Sequence, residues 1–170
     1  MSIYFLGIDP SATCTGLSIV DSSGAALRVK AIEPKKLRDS ERLAYIQAQL
    51  NEFIADTPIA GCVMETPSYG STHKEFILGE VLGVIKLTLH SQGIKLVGAA
   101  PTQLKKFMTG SGSANKSKMV EEAQLAGCPS DKEDICDSWA AALVCCSVFS
   151  GLPQHLTTRP RLEVATLLRQ

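Results

Sequence analysis

The sequence predicts a mixed α/β domain: one five-stranded sheet, part antiparallel meander and part parallel crossover, flanked by helices. Three observations lead there. Three apolar runs near the N-terminus are separated only by turn residues. Apolar spacing then changes from alternation to a helical period after Pro34. From that point helices and strands alternate.

The elements follow in order. Ile3 to Ile8 reads as a strand, followed by the turn Asp9-Pro-Ser-Ala-Thr-Cys-Thr-Gly16. A second strand spans Leu17 to Val20, turn residues follow at Asp21-Ser-Ser-Gly24, and a third strand covers Ala26 to Ile32. Leu43, Ile46, Leu50, Phe53 and Ile54 then fall on one helical face, with Asp39 or Ser40 available as cap. Gly61 to Met64 is a short strand ending at Glu65-Thr-Pro67, where proline stops the ladder.

A helix over Lys74 to His90 has Phe76, Ile77, Val81, Leu82, Ile85 and Leu89 as its apolar side. Ile94 to Val97 is the fifth strand, and Thr102 caps a short helix to Phe107. The small-residue loop Gly110-Ser-Gly-Ser-Ala-Asn-Lys116 precedes a helix capped by Ser117 and ending near Gly127. Ser130-Asp-Lys-Glu133 matches a capping box and opens an apolar helix to Phe149. These elements make one domain over residues 1–150. Residues 151–170 have a thin pattern and read as a C-terminal tail that either docks or moves.

Composition narrows the class. With 170 residues, 45% of them hydrophobic, the chain can bury a real core. No apolar run approaches the roughly 20 residues of a membrane helix, and the N-terminus lacks the basic lead of a signal peptide. The expected setting is therefore cytoplasmic, without a membrane partner. None of the six cysteines forms a C-x-x-C pair, so they read as reduced core thiols. Lys plus Arg and Asp plus Glu are both 17, a balance that alone speaks against a nucleic-acid binder. Their distribution speaks the other way: Lys95 to Lys118 holds five lysines and no acid, and Val120 to Asp137 holds six acids and one lysine.

The acids carry the chemistry. Asp9 and Glu65 each end an apolar strand. Asp134 and Asp137 lie at i and i+3 of the last apolar helix and share a face. Plainer readings exist for each alone: a turn-forming Asp before Pro, or acids compensating a helix dipole. Together they describe half-buried carboxylates from three separate elements, which repel unless protonated or holding a cation. Oxygen ligands without His or Cys suit Mg2+, with Mn2+ able to substitute. Two such ions roughly 4 Å apart would activate water against a phosphodiester. His73, His90 and His155 stand apart as surface or interface residues, Trp139 reads as core, and Arg159 and Arg161 flank Pro160 in the tail.

Gly7-Ile-Asp-Pro-Ser-Ala-Thr-Cys-Thr-Gly16 resembles the opening motif of the RuvC family of Holliday junction resolvases, within the ribonuclease-H-like superfamily. Val63-Met-Glu65 is similar to its second acidic strand, and Asp134-Ile-Cys-Asp137-Ser-Trp-Ala-Ala-Ala-Leu143 to its terminal acidic helix. Gln103-Leu-Lys-Lys-Phe-Met-Thr-Gly-Ser-Gly-Ser-Ala-Asn-Lys116 is similar to its segment of two lysines around a Gly-Ser-Ala loop. The likeness covers about residues 3–147.

The resemblance implies a ribonuclease-H-like fold. It implies Asp9, Glu65, Asp134 and Asp137 as ligands of two magnesium ions, and Lys105 and Lys116 as catalytic lysines near the cut phosphate. Lys74, Lys106 and Lys118 would contact DNA, and Tyr69 would stack on an unpaired base, although it falls one position late with Pro67 inserted in the motif. The helix from Lys74 would form a two-fold homodimer interface, or its apolar face would be intramolecular core. The implied substrate is four-way or branched DNA in the cytoplasm, at a nucleoid or in a phage-infected host. Rival readings are another nuclease of this superfamily acting on RNA–DNA hybrids or flaps, an actin-like ATPase relative, and an inactive junction-binding module.

Overall fold

The computed structural model describes residues 3–66 and 74–170, apart from the side chains of residues 74 and 75. Strands β1 (Tyr4–Asp9), β2 (Thr15–Asp21) and β3 (Ala26–Ile32) precede α1 (Asp39–Ile54), β4 (Ile59–Glu65), α2 (Lys74–Ser91) and β5 (Leu96–Ala99). Helices α3 (Pro101–Thr109), α4 (Lys116–Leu125), α5 (Glu133–Phe149) and α6 (Arg159–Leu168) follow. The sheet order is β3-β2-β1-β4-β5. β1–β2 and β2–β3 pair antiparallel, whereas β1–β4 and β4–β5 pair parallel. This is the five-stranded mixed sheet that the sequence pattern predicts.

Alternation along the strands builds two cores, one on each face. Leu6, Ile8, Leu17, Ile19, Cys62 and Met64 pack against α1 and α2, with Ile46, Leu50, Val81, Ile85 and Leu89. Phe5, Val20 and Val63 face the opposite way, toward α5 and the helices around it. Helix α5 is apolar all round because the sheet covers one side and α3, α4 and α6 flank the rest. Ile135, Cys136 and every residue from Ser138 through Ser147 are buried. Trp139 is fully buried, and its ring N–H has no hydrogen-bond acceptor among the described residues. Such an orphan costs about 1–3 kcal/mol, which the area the indole buries offsets.

The structure corrects several boundaries. Helix α1 begins at Asp39, but Arg38 is the flanking residue and no side chain caps it. At α3 the Gln103 side chain accepts from the Ala100 N–H at 2.8 Å, and Thr102 lies inside the helix. Asn115 caps α4, accepting from Lys118 N–H, and Ser117 is already helical. Ser130 accepts from Lys132 N–H and opens a turn, so α5 starts only at Glu133. At α3 and α4 an oxygen close to the expected one serves, because several polar side chains compete to satisfy the same orphan N–H groups.

The tail is a docked element. After a short 3₁₀ turn at Gln154–Leu156, α6 packs back, and Val164 and Ala165 are buried. Arg161 is only 7% exposed. Its guanidinium donates to the Phe107 and Leu156 carbonyls at 3.2 and 2.8 Å, tying α6 to α3. Burial lowers its pKa, yet five donors and these carbonyls keep the charge tolerable. Among the described residues, no helix is long and apolar enough to cross a membrane.

Candidate active site

Period-two alternation places the two strand acids. Phe5 and Val63 face α5, so Asp9 on β1 and Glu65 on β4 turn the same way. Ile8 pairs with Met64 in the parallel ladder, so Asp9 and Glu65 end neighbouring strands side by side.

Two glycines then let α5 reach them. Gly7 is two residues before Asp9 on the same face, and a Cβ there would lie 2.0 Å from Ser138 O and 2.2 Å from Ala142 N. Gly16, the cross-strand partner of Asp9, sits under the start of α5, where a Cβ would lie 1.9 Å from Asp134 O. Between them, the Ser18 and Ser138 hydroxyls share a buried 2.7 Å hydrogen bond, and Ser138 donates to Ile135 O at 2.9 Å. Bare backbone and one satisfied polar pair thus hold the first turns of α5 directly on β1 and β2, with Asp134 and Asp137 over the ends of the acidic strands.

The electrostatics show the crowding. Burial, with the charges of Glu65, Asp137 and Asp134, pushes Asp9 up to about 8. Burial and Asp137 raise Glu65 to about 7, against the pull of Lys105. Asp137 rises to about 6 through burial, with Asp134 and Glu133 adding to it and Lys116 and Lys105 opposing. All three carboxyls are half-buried in an environment that disfavours their ionised forms. Among the described residues no three His, Cys, Asp or Glu side chains stand close enough together to hold a metal ion as they are placed. Of the four acids, Glu65 and Asp137 line a cleft of about 170 Å³ together with Lys105 and Lys116, with Leu104 and Met119 as apolar wall. A larger groove of about 730 Å³ between α3 and α6, lined by Lys106, Thr158 and Leu162, includes none of these acids.

The lysines divide into two sets. Lys105 and Lys116 line the cleft, and Glu133 at the start of α5 holds the Lys116 ammonium and raises its pKa. Lys106 is drawn to Glu163 of α6 at 2.9 Å, and Lys118 pairs with Glu121 and Glu122 on its own helix. Tyr69, Pro67 and His73 lie outside the described residues. Lys74 opens α2, and its side chain is likewise outside them.

Several residues that shape the site have no signal strong enough to single them out in the sequence. Cys14, which reads there as a core thiol, is half-buried in the turn after β1; burial and a hydrogen bond to the Asp134 carboxylate push its pKa up to about 12. Gly7, Gly16, Ser18 and Ser138 are equally inconspicuous. Spacing of two from Asp9 is the available signal for Gly7, but nothing local identifies α5 as the element it meets.

Helix α2 shows two faces. Val81, Leu82, Ile85 and Leu89 are intramolecular core, whereas Phe76 and Leu87 are 78% and 61% exposed. Gly79 and Gly83 lie between those two, and a Cβ on either would meet nothing within 4 Å.

A mixed sheet of this order, with acids at the ends of its two central strands and on the helix crossing them, defines a nuclease of the ribonuclease-H-like fold. The family model for crossover junction endodeoxyribonuclease RuvC matches residues 5–145. The chain belongs to that family, whose members are metal-dependent endonucleases. It is 31% identical to the crossover junction endodeoxyribonuclease RuvC of Nitratidesulfovibrio vulgaris, over 84% of this chain and 89% of that protein. It is 30% identical to that of Parvibaculum lavamentivorans, over 89% of each. Among solved structures it is similar to Thermus thermophilus RuvC, with a TM-score of 0.71 and 21% identity over 84% of this chain and 91% of the other. For the Thermus protein in complex with Holliday junction substrate the TM-score is 0.73, at 22% identity over 88% and 93%. Family membership leaves the ATPase and hybrid-cutting readings without support.

Proposed function

We propose that this chain is a homodimeric, structure-selective endonuclease that resolves four-way DNA junctions by paired, metal-dependent phosphodiester hydrolysis. The observation that supports this chemistry is that Asp9, from β1, feels the charges of Glu65 on β4 and of Asp134 and Asp137 on α5, while Glu65 and Asp137 line one cleft with two lysines. The donor set fits magnesium: it is all oxygen, and burial together with neighbouring carboxylates holds Asp9, Glu65 and Asp137 above their ordinary pKa. Asp9, Glu65, Asp134 and Asp137 would hold two Mg2+ ions, with Mn2+ able to replace them. When bound, such ions supply Lewis acidity, and a nucleophile at neutral pH, for attack on phosphorus.

The protein's own groups do the rest. Burial and the neighbouring carboxylates favour the protonated form of Asp9, so holding a cation there would require it to release that proton. Lys105 and Lys116 face the cleft with donors that attract a phosphate and steady charge as the P–O bond breaks. Leu104 and Met119 restrict water to one side. Branch selectivity rests on the shape and deformability of the junction more than on base reading. Affinity falls steeply with salt because lysines bind backbone.

The Phe76–Leu87 face of α2 supports the dimer. Two aromatic or aliphatic anchors flank two glycines at i and i+4, a surface on which a second copy of the helix can lie close. A two-fold dimer presents two clefts to the two equivalent strands of a junction. The cytoplasm, where such DNA is found, is the setting this activity requires.

Incubation of the protein with labelled four-way junction, flap and RNA–DNA hybrid in magnesium tests the reading. Symmetric nicks in the junction are expected. Cleavage of the hybrid alone would refute it.

A further inference from the structure

A second charged feature lies away from Lys105 and Lys116. The connection from β3 to α1 has four cations, Lys35, Lys36, Arg38 and Arg42, against two acids, Asp39 and Glu41, over residues 35–42. Lys35, Lys36 and Arg38 are exposed and Arg42 is half-buried. Among the described residues none of the four takes part in an ion pair, whereas Lys116, Lys118 and Lys132, also exposed, all do. The nearby acid Glu33 is directed to Lys132 at 3.9 Å.

The turn that displays these cations is built, not slack. Pro34 is buried, and Leu37 N–H donates to Pro34 O at 3.0 Å. Lys35 and Asp39 both take left-handed backbone, at φ 52° and 45°, which non-glycine residues adopt only when their surroundings impose it. The turn places basic side chains around a groove of about 580 Å³, where Lys35, Lys36, Arg38 and Arg42 outnumber the one lining acid, Asp39, with Leu37 and Ile77 as apolar wall. Arg42 and Ile77 also line an adjoining groove of about 500 Å³ whose other wall is Pro10 to Thr13, the turn that directly follows Asp9. The two share Arg42 and Ile77 and so form one channel, with Thr13 exposed along it.

We propose that this channel, over Pro10–Thr13 and Lys35–Arg42, binds the sugar–phosphate backbone of a DNA arm next to the cleaved strand. The inference rests on the junction-nuclease reading and adds a second hold on the substrate to it. Charge complementarity selects the occupant: four cations without ion-pair partners among the described residues, around a groove that adjoins the turn following Asp9, suit a run of phosphates. A hold here, added to Lys105 and Lys116 at the cleft, attaches the strand at two places rather than one.

The test uses the full chain with Lys36 and Arg38 both changed to Gln. Lys35 is left in place because its backbone forms the turn. Binding to a labelled four-way junction is followed by fluorescence anisotropy in EDTA over a salt series, and cleavage is followed separately over a junction series in magnesium. The double variant is expected to bind about tenfold more weakly, with a salt slope shallower by roughly 0.9 for each phosphate no longer neutralised, and to need correspondingly more junction for half-maximal cleavage. Lys30→Gln, on β3 and paired with Glu52, serves as control and is expected to match the wild type. Unchanged affinity and slope in a variant of a chain that cuts junctions would overturn the channel alone. Weaker binding at unchanged slope would overturn it too, since the loss would not be one of charge. A wild-type chain that neither binds nor cuts junctions would refute the nuclease reading itself.

Discussion

Gly16 lies so close beneath Asp134 that a Cβ on it would fall 1.9 Å from the Asp134 carbonyl oxygen and 2.6 Å from the carbonyl carbon. Backbone meets backbone there, so no side-chain rotation can relieve the clash, and α5 must lift. Gly16→Ala is expected to cost about 1–3 kcal/mol in urea denaturation, as overpacked cores do. It should also reduce cleavage by more than the unfolded fraction explains, because Asp134 and Asp137 move with the helix. Gly7→Ala, facing Ser138 and Ala142, should behave alike. Full activity in both variants would show that the approach of α5 to the strands does not set the site.

Asp9 has the most crowded carboxyl of the set. Asp9→Asn should lower junction cleavage by at least about 10²-fold while leaving junction affinity near that of the wild type. Loss of binding together with cleavage would place Asp9 in substrate docking instead.

Proton linkage gives a stability profile. Asp9 and Asp137 rise from 3.8 to about 8 and about 6, and Glu65 from 4.5 to about 7. Raised folded-state values mean that the folded protein binds more protons than the unfolded chain between these limits. The stabilisation is therefore complete below about pH 4 and is lost as pH climbs through 6 to 8, with a slope of up to about 1.4 kcal/mol per pH unit for each proton. Magnesium binds the deprotonated folded state and should restore stability most at the alkaline end. Thermal melts at pH 5 and pH 8, in EDTA and in magnesium, check both signs. A metal-free protein that gains stability from pH 5 to pH 8 would contradict the crowded site.

The two sets of lysines should separate kinetically. Lys116→Ala removes a charge that opposes the rise of Asp9 and Asp137, so the cleavage rate at saturating junction should fall by about 10²-fold. Lys118→Ala removes an exposed cation already compensated by Glu121 and Glu122, and should change neither stability nor rate measurably. Equal rate losses would mean that cleft position does not distinguish them.

Helix α2 offers a test of assembly. Gly83→Ala adds a methyl where the protomer has open space, which should raise monomer stability by about 0.5–1 kcal/mol. If the Phe76–Leu87 face is the dimer contact, the same methyl separates the helices and weakens association. Sedimentation equilibrium would then show more monomer than for the wild type. An unchanged dimer would move the interface elsewhere.

Local pattern is enough for the elements and for the direction of the strand acids. Strand alternation carries Asp9 and Glu65 to one face whatever packs on it, and the i, i+3 spacing puts Asp134 and Asp137 on one side of their helix. Caps are less legible: Asn115 and Gln103 serve where the pattern points to Ser117 and Thr102, since neighbouring polar groups satisfy the same N–H donors nearly equally well, and Ser130, expected to open a capping box with Glu133, caps a turn before α5 instead. The thin pattern after Pro153 hides α6, whose anchor is a buried arginine bound to carbonyls that include one far away in the chain.

By itself, then, the amino-acid order settles the secondary structure, the sheet's two apolar faces and which acids can share a side. Only the tertiary structure decides how near α5 comes, through Gly7 and Gly16. It also decides which lysines remain at the cleft once Glu163, Glu121 and Glu122 have paired with the others, and that a basic turn at residues 35–42 opens onto the strand-end loop. The reason is range: periodicity is a property of neighbours along the chain, whereas close approach and ion pairing depend on groups brought together from distant segments.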